Sequence, residues 1–401
     1  MATSANVKSA VVFSGGGAYG AYEVGVLKAL AAGESPATGR KPLAPQVATG
    51  TSVGAFNAAL LAMYAEKGSG EAADQMEQVW MKEVAEVPGR GNGVFRFRAN
   101  PLRYLDTSIL TNPSEIMDGI TDAVALTQDW SARLFHLAAG KGTFAQRSSD
   151  LLDISSLISV DPFEQMLRRV LKTESIARSP LALAIVATNW KTGQTKTFGN
   201  HDIDGENGAS VIMASAAIPG IFPPVKIENE SYVDGGVVLN TPLSIALNAG
   251  ATELHVIYMS PDIRTAPIDD INSTIDTFDR VYHIMLETKI SEDIATARWI
   301  NEGIELLRQL SSKHGSKHEP TTDEQRTFVR VANVIYKRTQ EGSPYKPVTI
   351  HRYYPKQDLG DPLTMLNFAP ERLRMMIEMG FTDTRDHDCQ ASGCVLAVNS
   401  L

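Results

Sequence analysis

Two glycine-bounded turns, each set between a short apolar run and a helical one, constrain this chain more than any other feature. The first is "AVVFSGGGAYGAYEVGVLKAL", Ala10 to Leu30, and the second is "QVATGTSVGAFNAALLAMYAEKG", Gln46 to Gly68. In the first, Val11 to Ser14 reads as a strand, and Tyr22, Val26 and Leu30 recur at a four-residue spacing that marks one face of a helix. In the second, alanines and large apolar residues leave little polar surface on the helix, which implies burial on most sides. Strand, turn and helix repeated in this order predict an α/β fold with a mainly parallel sheet.

The first turn fits two ligands equally well. Gly15, Gly17 and Gly20 satisfy G-x-G-x-x-G, and such glycines leave backbone N–H groups uncovered at a helix N-terminus, where a phosphate or a developing oxyanion can sit. A plain tight turn is the third reading. A dinucleotide would also need an acid at the end of the next strand, about twenty residues on. That strand, "QVATG", ends in Thr49 and Gly50 instead, so no nucleotide cofactor is expected.

The second turn is "GTSVG", Gly50 to Gly54, a G-x-S-x-G sequence between strand and helix. In that context a serine is lifted out of the turn at a helix N-terminus, where negative charge is favoured. Ser52 is therefore the candidate nucleophile, and Gly50 and Gly54 are its small neighbours. A nucleophile needs a base. Asp234 in "YVDGGVV" is the best carboxylate, with Gly235 and Gly236 letting the chain turn beside it, although "DGG" is also an ordinary turn.

Composition narrows the partners. With 401 residues and 43% hydrophobic content the chain can bury a large core, and a net charge of −9 argues against a nucleic-acid binder. No run of apolar residues is long enough to span a membrane, and "MATSANVKSAVVFSGGG" lacks the apolar length of a secretory signal, so a cytoplasmic protein is expected. The two cysteines, Cys389 and Cys394, give no disulfide framework. With His387 they form "HDCQASGC"; a zinc site would need a second ligand pair and tighter spacing. The stretch therefore reads as a structural tail, and no metal is expected.

Further along, "PGRGNGVFRFRANPLRYL" carries Arg90, Arg96, Arg98 and Arg103 without an acid, interleaved with Phe95, Phe97, Leu102 and Tyr104. It reads as a solvated loop packed by its aromatics, or as a lid meeting an anionic, greasy surface. "DISSLISVDPFEQMLRRVLK" predicts a helix capped by Asp161 or Ser159. "PLALAIVATNW" predicts a buried strand and "KTGQTKTF" a short return strand. "PLSIALNAG" reads as helix, "LHVIYMS" and "PVTIHRYYP" as strands, and "APERLRMMIEMGFTDTRD" as a last helix ended by Gly380. One domain over residues 8–386 is expected, with insertions at 87–148 and 261–346 and a tail at 387–401.

In order and wording, "SGGGAYGAYEVGVL", "GTSVG", "ASAAIPGIFPPV" and "YVDGGVVLNTPL" resemble the patatin-like phospholipases. "LAIVATNWKTGQ" and "FAPERLRMMIEMGFTD" look similar too. The resemblance implies a three-layer α/β/α fold, a Ser-Asp dyad of Ser52 and Asp234, and no cofactor or metal. It further implies an oxyanion hole from the amides of Gly15, Gly16, Gly17 and Ala18, supported by Gly20, and a turn after the aspartate shaped by Asn240 and Pro242. A lipid or acyl-ester substrate follows from the same resemblance, while peripheral contact with a membrane is expected from the arginine and aromatic stretch Arg90 to Tyr104. One position departs from it: Tyr19 stands where the family commonly has a basic residue. Two alternatives remain at this stage. One is a Ser-Asp-His triad using His255, His283, His351 or His387; the other is a non-catalytic lipid-binding protein on the same fold.

Overall fold

The computed structural model describes residues 7–87, 91–97, 158–203, 205, 207–259, 292–309, 322–340, 346–360 and 362–397. Arg90, Arg98, Leu102, Arg103, Tyr104 and His283 lie outside the described residues, with most of the 87–148 insertion and half of the 261–346 one.

The two turns predicted from sequence are both present. β1 (Ser9–Phe13) leads through a short 3-10 turn, Gly17–Tyr19, into α1 (Gly20–Ala31), and β2 (Val47–Thr51) leads into α2 (Val53–Tyr64). α3 (Ser69–Val79) follows and ends in a π-helical turn, Trp80–Val84. Arg96–Phe97 forms β3, which pairs antiparallel with β4 (Ile158–Ser159). α4 (Asp161–Val170) begins where expected; Ser159 Oγ accepts the Asp161 N–H at 3.3 Å, while Val160 occupies the cap position.

α5 (Thr173–Ala177), β5 (Ala182–Asn189), β6 (Thr195–Gly199), α6 (Asn207–Ser215), β7 (Val225–Ile227) and β8 (Glu230–Asp234) come next. α7 (Leu243–Asn248) and β9 (Glu253–Ile257) precede two helices, α8 over 292–309 and α9 (Asp323–Gln340). β10 (Thr349–Tyr353) and α10 (Pro370–Arg385) complete the elements.

Eight strands form the main sheet in the order β10-β9-β1-β2-β5-β8-β7, with β6 also on β5, and β3 and β4 make a separate two-stranded sheet. β10, β9, β1, β2 and β5 run parallel; β6, β8 and β7 join antiparallel. β1 is fully buried, as a central strand covered on both faces requires. Its Val11 and Phe13 join the apolar layer of α1, α2, α3 and α10, and its Ala10 and Val12 join Leu243 and Ala246 of α7 and Ile294 and Ala297 of α8. The helices therefore flank the sheet on both faces.

The register around β5 positions the site. Ala184, Ile185 and Val186 pair with both β2 and β6, whereas Ala187 and Thr188 pair with β6 and β8. A strand has only two edges, so β2 and β8 lie end to end along the same edge of β5. β2 is parallel to β5 and β8 antiparallel, so their C-terminal ends point at each other.

One sequence expectation is corrected. α10 does not end at Gly380 but runs through it to Arg385. Gly380 instead permits close helix contact: a Cβ there would run into Tyr22 O on α1, and a Cβ on Gly25 would run into Ile377 O on α10. Phe95 and Arg96 of the 87–148 stretch pack onto the domain. Phe95 is buried, with ring centroids 6.4 Å from Phe222 and 6.2 Å from Phe368, and Arg96 meets Asp161 at 3.2 Å.

Candidate active site

Ser52 occupies the turn between β2 and α2 with φ 57 and ψ −126, backbone angles that a non-glycine residue adopts only when its surroundings hold it there. Those surroundings are tight. A Cβ on Gly50 would strike Gly54 O, and one on Gly54 would lie 2.6 Å from Phe13 O, so the flanking glycines let the chain double back against β1. The Ser52 N–H donates to Ser215 Oγ at 2.9 Å, and Ser215 Oγ donates in turn to Val186 O at 2.6 Å.

Asp234 closes β8 opposite this turn and is fully buried. Its N–H donates to Ala217 O at 2.9 Å, and its Oδ1 accepts the Gly236 N–H at 2.7 Å. Desolvation pushes its pKa up to about 7, against the smaller lowering effects of the Gly236 N–H and the Ser52 hydroxyl. The Ser52 hydroxyl thus acts on the carboxyl as a neighbour, yet Asp234 Oδ2 is buried without a regular hydrogen bond among the described residues. Before substrate binds, catalytic hydrogen bonds are often long in this way.

The glycine loop lies across from Ser52. A Cβ on Gly15 would approach Ser52 Cβ to 3.0 Å and collide with Asn240 Oδ1. The Gly15 N–H is already donated to Asn240, at 3.1 Å to Oδ1 and 3.3 Å to the backbone oxygen, and Asn240 Nδ2 returns a bond to Gly15 O at 3.4 Å. The amides of Gly16, Gly17 and Ala18 open the first helical turn and have no partner among the described residues, as the start of a helix dictates. Gly20 packs against Val53 and Trp80, with no room for a Cβ.

Asn240 is held over the loop by a row of hydroxyls from the strand ends. Thr51 Oγ1 donates to Leu239 O at 2.9 Å, Thr49 Oγ1 donates to Pro242 O at 3.2 Å, and Ser14 Oγ lies 2.8 Å from Thr241 Oγ1. Pro242 caps α7. Gly235 sits where a Cβ would meet Val186 O.

Tyr19 turns away from the pocket. It is buried, donates to Gly360 O at 2.7 Å and lies 2.6 Å from Thr364 Oγ1, so it ties the glycine loop to the segment before α10. That segment also supplies Met365 O, which Gly17 could not approach with a side chain.

An apolar pocket opens at Ser52. Val53, Phe56, Trp80, Phe163, Ile218 and Phe222 form much of its wall, and Gly17 borders it beside Ser52. Phe163 comes from α4, and Ile218 and Phe222 from the "AIPGIF" stretch. Sequence reading found Ser52, Asp234 and the loop but missed three supports. Ser215 was quoted only as part of "ASAAIPG". Glu23, the one acid in an otherwise apolar turn of α1, accepts the Ser14 N–H at 2.8 Å and Asn57 Nδ2 at 2.7 Å, and Asn57 Oδ1 accepts Trp80 Nε1 at 2.8 Å. A charge in a buried helix was the available signal. Among the described residues no histidine hydrogen-bonds to Ser52 or Asp234. His255, His351 and His387 gather around Tyr353 instead.

A family model described as patatin-like phospholipase matches residues 11–247, more than half of the chain. Among solved structures, VipD from Legionella pneumophila is similar at 14% identity and a TM-score of 0.31, over 93% of this chain and 67% of that one. No helix among the described residues is long and apolar enough to cross a membrane. With a family match that runs from β1 to α7 and takes in both Ser52 and Asp234, the chain belongs to the patatin-like phospholipase family, the lipid acyl hydrolases.

Proposed function

We propose that the protein cleaves carboxylic esters of lipids, of the phospholipase A or lysophospholipase type, through a Ser52–Asp234 dyad and an acyl-enzyme. The observation that carries this reading is the buried Asp234 carboxyl, its Oδ2 unpartnered and its pKa raised to about 7, facing a strained serine at the mouth of an apolar pocket. A carboxylate in that state is a stronger base than one in water, and it is poised near neutral pH.

In the first step Ser52 Oγ attacks the ester carbonyl and its proton passes to Asp234 Oδ2. The carbonyl oxygen, now negative, faces the uncommitted amides of Gly16 and Gly17, with Ala18 next in line. Gly15 acts differently from its neighbours: bound to Asn240, it fixes the loop rather than the oxyanion. Collapse of the tetrahedral intermediate breaks the ester C–O bond, and Asp234 returns its proton to the leaving alcohol. Water activated at Asp234 then attacks the acyl-serine and releases the fatty acid. Removing one oxyanion donor typically costs ~10²–10³ in turnover, so the loop carries a large share of the catalysis. The acyl chain lies against Phe56, Phe163, Ile218 and Phe222, where each methylene removed from water contributes about 0.8 kcal/mol.

A fluorophosphonate probe tests the reading directly. Covalent label on Ser52, lost in Ser52→Ala together with fatty-acid release from a lipid panel, is the expected result. A chain that hydrolyses lipid esters as Ser52→Ala would overturn the dyad, and a wild-type chain that neither labels nor hydrolyses would mark a non-catalytic lipid binder.

A further inference from the structure

Far from Ser52 in sheet order, at the edge strand β10, four metal-ligating side chains converge. They are His351 on β10 and His387, Cys389 and Cys394 in the segment after α10, and their donor atoms all lie within 4.8 Å of one another. Cys389 Sγ is 3.4 Å from His351 Nδ1 and 3.5 Å from His387 Nε2, and Cys394 Sγ is 3.5 Å from His387 Nε2. With Zn–S near 2.3 Å and Zn–N near 2.0–2.1 Å, the S···N edge of a tetrahedral zinc site is about 3.5 Å. Each of the three separations equals that edge to within a tenth of an ångström or so.

The surroundings of the four groups point the same way. A zinc-bound histidine presents one ring nitrogen to the metal and gives the other to an oxygen, which fixes the tautomer. His351 turns Nδ1 inward and its Nε2 lies 3.8 Å from Glu253 Oε1; His387 turns Nε2 inward and its Nδ1 lies 3.4 Å from Ser392 Oγ. The sulfur of Cys394 accepts the Arg352 backbone N–H at 3.3 Å, the kind of outer hydrogen bond that orients a metal-binding sulfur. Both cysteines are free of any disulfide.

We propose that His351, His387, Cys389 and Cys394 bind one zinc ion in a closed, structural Cys2His2 site. Thiolate and imidazole donors in a tetrahedral set select zinc among common divalent cations, and four protein ligands leave no position for water or substrate. Binding replaces the two thiol protons, which are released to solvent, and the resulting site carries no net charge. The spacing "CQASGC" is the C-x4-C limit of structural zinc knuckles, and Gly393 takes the positive φ, +62, that the turn between the cysteines requires. The sequence reading of this stretch as a simple tail asked for a second ligand pair and tighter spacing; the fold supplies the fourth ligand from β10, and C-x4-C lies within the range structural zinc sites use.

The site also has a structural task. β10 is an edge strand, and unpaired edges invite pairing with other chains. Val395 bonds both ways with Ile350, at 2.7 and 3.0 Å, directly beside His351 and Cys394. Zinc clips this covering segment to the edge on one side of that bridge.

The test is metal content of the full chain purified under reducing conditions without chelator. One equivalent of zinc is expected by mass spectrometry, retained on dialysis. Cobalt taken up in its place should give the intense visible bands of a tetrahedral thiolate site. Cys394→Ser and His387→Asn should each lose the bound zinc. To separate loss of metal from loss of fold, wild-type protein treated with a strong zinc chelator is measured as well: Tm should fall, proteolysis after Arg385 should accelerate, and zinc should restore both. Four thiol and imidazole groups that are merely hydrogen-bonded would leave the reduced protein with neither stoichiometric zinc nor a cobalt spectrum, and that result would overturn the proposal. So would a Cys389–Cys394 disulfide in the protein as purified.

Discussion

Thr51 and Asp234 pair with successive residues of β5, Val186 and Ala187, on the same edge of that strand. The strand that ends just before Ser52 and the strand that ends in Asp234 therefore run head-on into each other, and the gap between them holds both side chains. Ser215 binds Val186 O and the Ser52 N–H together, while Ala217 O holds the Asp234 N–H. One short segment, Ser215 to Ala217, is thus bolted to both Ser52 and Asp234.

The pH dependence follows from Asp234. With its pKa raised to about 7 by burial, the carboxylate needed as base forms only as pH rises through that value. kcat/KM should climb tenfold per pH unit below about 7 and level off above it. Asp234→Asn should lower turnover by ~10²–10⁴ on the plateau above pH 7 and abolish this limb, so that the deficit narrows toward acid. A stopped pH profile of ester hydrolysis checks both; a wild-type limb centred near 4 would contradict the assignment.

The same group makes a stability prediction of opposite sign. The native state holds a proton on Asp234 that the unfolded chain loses at its ordinary pKa of 3.8. The stabilisation by that proton is full below 3.8, declines as pH rises, and is gone once pH passes about 7. Asp234→Asn needs no proton there, so its Tm should exceed that of the wild type by a margin that grows from acid to neutral pH and is then constant. The gain is on the order of a few kcal/mol, read by calorimetry across the range.

Ser215→Ala should leave the Ser52 N–H buried without an acceptor and the strained turn without its anchor. A loss of ~1–3 kcal/mol in stability is expected. The rate of fluorophosphonate labelling should fall while KM for ester stays close to the wild-type value, because Ser215 does not line the pocket. Unchanged labelling would show that the turn holds itself.

Chain-length preference should move with the pocket wall. Val94 lines it from the described end of the 87–148 stretch. Val94→Trp should cut hydrolysis of dodecanoyl esters more than that of butanoyl esters, by about fourfold for each methylene excluded. A p-nitrophenyl ester series gives the ratio directly, and parallel losses on all lengths would place the acyl chain elsewhere.

Glu23→Leu should destabilise the fold by about 1–3 kcal/mol or more, since it strands the Ser14 N–H and one of the two Asn57 Nδ2 hydrogens in the core, the other still donated to Gly20 O at 2.9 Å. Glu23→Gln, which keeps one acceptor oxygen, should cost less. Urea denaturation midpoints order the three proteins.

Much of this was legible in one dimension because it is local. "SGGGAYG" and "GTSVG" announce strand, turn and helix through residues a few positions apart, and the alternation and apolar runs of β1, β5 and β9 carry their own burial. Gly380 was misread as a helix end because its partner, Tyr22 O, is supplied by a helix at the other end of the chain. Ser215, Glu23 and Asn57 looked ordinary for the same reason: each acts on a residue that sequence distance hides.

By itself the sequence determined the two turns and the α/β class and put Ser52 and Asp234 forward as candidates, since the turns and the class depend on short-range backbone geometry and hydrophobic period. Only the tertiary structure decided how the two strands meet on β5, which amides of the glycine loop stay uncommitted, and that His351 joins His387, Cys389 and Cys394. Those outcomes depend on sheet register and on hydrogen bonds between segments far apart in the chain, and no local pattern of residues encodes a register with a distant partner.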